Sequence, residues 1–290
     1  VQGADFQGGL KMLKVVMRSG ISIPVVWVWM FVAVVSAHAG SLHYPIDLAV
    51  NRKGQIFVTD PEAHSVFAIT GDKTISLLAQ GKTDYRSPLF RVRGITLDKQ
   101  DQVIVADGGS SEVYRIAADG KAVALTSGKL DRPEDVDVDS QGNVIVADHG
   151  GQAIYRISKE GSVQRVAQVE NPISVAVDKD NSMVVISNRG LVKVSAAGKV
   201  EPITPKNAFE YPNSVVIGSA GEYIVSDGYA KTLWKVQKDG KFTALVKGDP
   251  LQNPNGLAVG NNGDVLVADP HAKAIFRVSA AGQISVVIKE

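Results

Sequence analysis

The chain contains no cysteine. Disulfides, thiolate metal sites, a cysteine nucleophile and lipoprotein acylation are all excluded by that one absence. An excess of charge of either sign is also missing, with 31 Lys and Arg against 30 Asp and Glu. Without the first 39 residues the balance is 28 to 29, a formal charge of −1. Such a body has no electrostatic footprint for nucleic acid and no polybasic run for anionic lipid. The chain also lacks a Gly-x-Ser-x-Gly elbow, a zinc-protease helix motif and a phosphate loop. What it has is apolar material: 44% of 290 residues are hydrophobic, enough for a core that needs no disulfides.

Residues 21–35, ISIPVVWVWMFVAVV, form an apolar run preceded by Lys14 and Arg18 and followed by Ser36-Ala37-His38-Ala39. A basic flank, an apolar stretch and small residues before Ala39 are the three parts of a secretory leader. The run is shorter than the roughly twenty residues of a bilayer span. Residues 1–39 are therefore expected to comprise upstream residues and a cleavable signal peptide. Met12 or Met17 could each open such a leader, so residues 1–11 are set apart from the fold. Residues 40–290 form a single domain, expected to be exported to the periplasm or secreted. It should be free of the membrane after cleavage, independent of nucleic acid, and monomeric.

From residue 45 onward one pattern recurs, most clearly in 133–168 and 254–289. Each copy holds a VAD-like strand closed by a polar residue, read as Asp60, Asp107, Asp148, Asn188, Asp227 and Asp269. Their separations are 47, 41, 40, 39 and 42 residues, the first lengthened by an insertion around Lys82–Pro88. In the third copy the alternating segments are 135–138, 143–147, 153–157 and 163–167, separated by Gly, Asp, Asn and Ser turns. Period-two alternation with such punctuation specifies strands. Four strands per unit of about forty residues describe a propeller blade. The fold class is all-β: a six-bladed β-propeller of four-stranded antiparallel blades. The repeat begins with the inner strand and ends with an outer one, so no strand should be exchanged between first and last blades.

The internal copies act as their own control. The strand-closing Asp residues recur and are read as turn caps. The repeated Arg or Lys of the third strand gets the same structural reading. The position two residues before the first hydrophobic residue of each inner strand varies instead: Ile46, Arg93, Glu134, Ile173, Asn213 and Asn255. It should lie at the mouth of the axial channel, and the loops after the VAD strands should add His149, Tyr229 and His271. The expected ligand-binding rim is Arg93, Glu134, Asn213, Asn255, Tyr229, His149 and His271. Arg91 and Arg93 could hold an anionic ligand, with Tyr85 from the insertion Gly81–Arg93 as one wall.

The repeat units resemble NHL repeats and the related gluconolactonase-like propellers. That resemblance implies two alternatives. One is a binding module that takes a small molecule, peptide or protein at its axial rim and needs no cofactor. The other is a lactonase-like hydrolase holding calcium or another divalent cation with Glu134, Asn213 and Asn255. Asn255-Gly256-Leu257-Ala258 looks like that family's inner-strand motif, but Ile46 stands where its first-blade Glu belongs. Residues 58–67 and 225–229 also resemble peptidyl-hydroxyglycine lyases. The His ligands that those enzymes use for zinc are replaced here by Ile46, Asn213 and Asn255. His64, His149 and His271 are read as solvent-exposed loop residues.

Overall fold

The computed structural model describes residues 40–290. The leader expected over 1–39 lies outside them. Twenty-four strands form six four-stranded antiparallel sheets. Blade 1 comprises β1 (Asp47–Val50), β2 (Ile56–Asp60), β3 (Ser65–Ile69) and β4 (Ile75–Gln80). Blades 2 to 6 repeat that order. Their inner strands are β5 (Val92–Leu97), β9 (Pro133–Val138), β13 (Pro172–Val177), β17 (Pro212–Ile217) and β21 (Leu257–Val259). Within blade 3 the other strands are β10 (Val144–Asp148), β11 (Ala153–Ile157) and β12 (Val163–Gln168), within two residues of the segments read from alternation.

The second strand of every blade is buried along its whole length. A sheet covered on both faces needs apolar residues on both faces, which is why these strands read as runs such as VIVAD. The fourth strands are mostly half-buried or exposed, as in β24 (Ile284–Lys289). Six hydrophobic clusters result, each drawn from two neighbouring blades. The core is thus a ring of inter-blade interfaces around an axial channel.

No strand is shared between the first and last blades. Leu42, Leu48, Val58 and Phe67 pack instead against Ala258, Leu266, Ala268 and Ile275. Residues 40–44 run along this seam. The Gly40 amide donates to Ile75 O at 3.1 Å, and the Leu42 amide to Glu290 Oε1 at 3.2 Å.

The strand-closing residues staple each blade to its incoming segment. Asp148 accepts from the amides of Asp131 (2.9 Å), Arg132 (2.7 Å) and Gly151 (3.2 Å). Asp60, Asp107, Asp227 and Asp269 do the same for their blades. In blade 4 the equivalent residue is Ser187, not Asn188. Ser187 closes β14 (Met183–Ser187) and pairs with Gly190, as Asp148 pairs with Ala153. Asn188 and Arg189 form the turn itself, with φ of 49° and 58°. Two consecutive left-handed residues make a tight hairpin, a position that Asn tolerates well. Elsewhere this turn has four residues, for example 149–152 and 228–231.

Candidate functional site

The six rim positions converge. Ile46, Arg93, Glu134, Ile173, Asn213 and Asn255 all line one axial cavity of about 690 Å³. The register of the inner strand against the second strand shifts at this point in blades 2 to 5. A bulge there frees one residue from the ladder and turns its side chain toward the axis. Tyr229 and His271 also line the cavity, and His149 does not. On that side the rim is occupied by Glu134, which pairs with Arg93 and with Arg132, both at 3.2 Å.

A second set of positions lies two residues earlier in the chain: Tyr44, Arg91, Arg132, Asn171, Tyr211 and Asn253. Four of these, Tyr44, Arg91, Tyr211 and Asn253, line the cavity. Their backbone amides are fixed by the buried aspartates, Tyr211 to Asp227 at 2.8 Å for example. Sequence reasoning missed most of this ring. The signal was available, because each residue immediately precedes the Pro or Val that starts an inner strand.

The insertion contributes Phe90, Arg91 and Arg93 to the lining, but not Tyr85. Tyr85 is 75% exposed and packs edge-on against Phe90 at 5.9 Å. His64 is a half-buried lining residue and not a free loop side chain. Its ring stacks on Phe90 at 5.5 Å, and Nδ1 lies 2.5 Å from Phe90 O.

The walls differ around the ring. Blades 2 and 3 present Arg91, Arg93 and Glu134, the last paired with Arg132. Blade 5, opposite blade 2 in a six-membered ring, presents Tyr211 and Tyr229, stacked at 4.5 Å with 16° between planes. Blade 4, with its shortened turn, supplies only Ile173 and Ser174, and blade 3 only Glu134 and Asp135, so the turns after the second strands of these two blades add nothing to the lining.

The floor is laced across blades. Asp47 accepts from the Ile95 amide at 2.9 Å, and Asp135 from Ser174 Oγ at 2.7 Å and the Val175 amide at 2.9 Å. Ser174 Oγ accepts in turn from the Val215 amide of blade 5 at 3.1 Å. Each aspartate sits over a glycine of the preceding blade. A Cβ on Gly256 would lie 2.2 Å from Asp47 Oδ1, and one on Gly94 2.3 Å from Asp135 Oδ1. Burial, and then the charge of Asp135, raises the Asp47 carboxyl well above the usual range. Burial likewise raises Asp135 to about 7, against hydrogen bonds that lower it.

Glu134, Asn213 and Asn255 are a poor donor set for a hard cation. Both oxygens of the one carboxylate face guanidinium groups, and Asn213 Nδ2 donates to Pro254 O at 3.1 Å. Calcium takes six to eight oxygens and favours several negative ones. Among the described residues no group of three or more His, Asp or Glu is arranged to hold a metal.

Two family profiles match parts of the chain: NHL repeat over residues 251–276, and strictosidine synthase-like, N-terminal, over 120–157. No curated protein sequence matches it. Solved structures resemble it in fold. Virginiamycin B lyase from Staphylococcus aureus superposes with a TM-score of 0.67 at 17% identity, covering 87% of this chain and 88% of that one. A gluconolactonase from Xanthomonas campestris gives 0.70 at 15% identity, covering 85% and 87%. The chain is thus a six-bladed β-propeller that carries an NHL repeat in its last blade and shares its fold with gluconolactonases and virginiamycin B lyase.

Proposed function

We propose that this propeller is a binding module that captures an anionic ligand in its axial cavity without a metal. The carrying observation is the arginine cluster: Arg93 and Arg132 share the single carboxylate of Glu134, and Arg91 lines the same wall. Glu62 is the other rim carboxylate, so three guanidinium groups stand against two carboxylates and leave a surplus of one positive charge. Arginine offers a planar fork that matches a ligand carboxylate. Burial raises Asp47 and Asp135, so the floor holds less negative charge than two free carboxylates would. The lyase and lactonase folds nearby keep a second reading in play, a metal-dependent lactonase using Glu134, Asn213 and Asn255.

Glu134→Gln separates the two. Under the binding reading it frees the guanidinium charge and tightens carboxylate capture severalfold. Under the lactonase reading it abolishes cation binding. Melting curves of the full chain should be taken after chelation, then with calcium, magnesium, zinc or a panel of mono- and dicarboxylates. Ligands of the folded state raise Tm by mass action. The expected result is a saturable rise with a carboxylate, lost in Arg93→Ala and kept in Glu134→Gln. A calcium-dependent rise that Glu134→Gln removes would overturn the proposal.

A further inference from the structure

We infer that the ligand is an acidic oligosaccharide, with one sugar ring stacked on Tyr229 and a uronate carboxylate at Arg91 and Arg93. This rests on the anion-binding reading above and adds the chemical class. The first observation is the tyrosine pair. Tyr229 is 71% exposed and Tyr211 48% exposed, yet both belong to the cavity wall. Their backbones are also tied to one another and to the buried Asp227. The Gly228 amide donates to Tyr211 O at 2.9 Å, and the Tyr211 amide to Asp227 at 2.8 Å. Tyr211 covers one face of Tyr229, and a rigid aromatic face left open at a cavity mouth offers area at low entropic cost.

The second observation is what lies below. Asn213, Asn253, Asn255, Ser174 and Ser214 line the cavity, and Ile46 and Ile173 are its only aliphatic branched side chains. Most ligand pockets are predominantly apolar with a few polar groups. This one is divided about evenly between polar and apolar surface. A flat arene or aliphatic acid would cover the half-buried amides of Asn213, Asn253 and Asn255 without pairing them. A polyol donates and accepts at these amides. The apolar faces of a sugar ring suit Tyr229, its hydroxyls suit the amides, and a carboxylate suits the opposite arginines. The turns of blades 3 and 4 add nothing to the lining, and the sugar chain continues outward on that side.

Calorimetric titration of the full chain with trigalacturonate tests this, with cellotriose as the neutral sugar and 4-phenylbutyrate as the aromatic carboxylate. Trigalacturonate is expected to saturate the protein, with cellotriose at least about tenfold weaker for want of the charge-assisted contact. Tyr229→Ala is expected to weaken trigalacturonate about tenfold, and Tyr229→Phe by less than about twofold, since the ring and not the hydroxyl makes the stack. Binding that ignores Tyr229→Ala overturns the platform. If 4-phenylbutyrate binds through Arg93 and trigalacturonate does not, the sugar assignment falls while the anion-binding reading stands. If neither binds, both fall.

Discussion

At the scale of single residues, the axial position of each inner strand mixes small and acidic side chains for a steric reason. Asp47 and Asp135 fit because Gly256 and Gly94 leave the space beside them. Gly256→Ala would push a methyl onto Asp47 Oδ1 and its backbone. It is expected to cost about 2 kcal/mol or more in urea unfolding, by overpacking and loss of the Asp47–Ile95 bond. Gly71→Ala is the control, since nothing stands within 4 Å of its Cβ position, and a change within about 0.5 kcal/mol is expected. These pairings were not legible in the sequence. Asp47 directly follows the rim position Ile46, but which glycine faces it depends on ring closure between residues 209 positions apart in the chain. The strand-closing aspartates were legible because five copies repeat them. Asn188 was misassigned for the opposite reason: its blade has a shorter turn, and an Asn beside a Ser offered a false continuation of the pattern.

At the scale of the inner strands, the floor couples folding to protons. Asp135 and Asp137 are raised by burial to about 7 and about 6, and Asp47 rises with them. A carboxyl whose folded pKa exceeds its unfolded value binds more protons when folded. Its contribution to stability is therefore greatest at low pH and is lost as pH rises through the folded value. For Asp135 the window runs from the ordinary 3.8 to about 7. Asp135→Asn removes one titrating group, and the decline of Tm between pH 5 and pH 8 is expected to be shallower by a few degrees than in the parent. Equal slopes in thermal melts would show that the hydrogen bonds to Ser174 and Val175 already offset the burial. Strand positions, blade boundaries and the rim residue of each blade could all be read from alternation and turns. The second ring of Tyr44, Tyr211 and Asn253 was missed: those residues belong to connecting segments whose direction is set by bonds to the buried aspartates, and only the Pro that follows each one marks it.

At the scale of the whole molecule, five inter-blade interfaces are joined by continuous chain, and the sixth is closed by packing between residues far apart in sequence. Leu42 is 1% exposed and sits at that sixth interface. Leu42→Ala should cost about 2–5 kcal/mol, as for other buried leucines. Hydrogen exchange should locate the loss. Amides of β1 and of β22 (Val265–Asp269) are expected to exchange faster in the variant, while those of β14 keep their protection. Uniform acceleration around the ring would mean that the propeller opens as one unit and that the seam has no independent stability.

The same seam brings the two ends of the described chain together, with the Leu42 amide bonded to the side chain of Glu290. Because every sheet is completed by consecutive strands, blade 1 is first only by convention. A circular permutant that joins these ends through a short linker and reopens the chain in the connection between blades 3 and 4 cuts no sheet. It keeps the axial cavity and moves the break to the side whose turns do not line it.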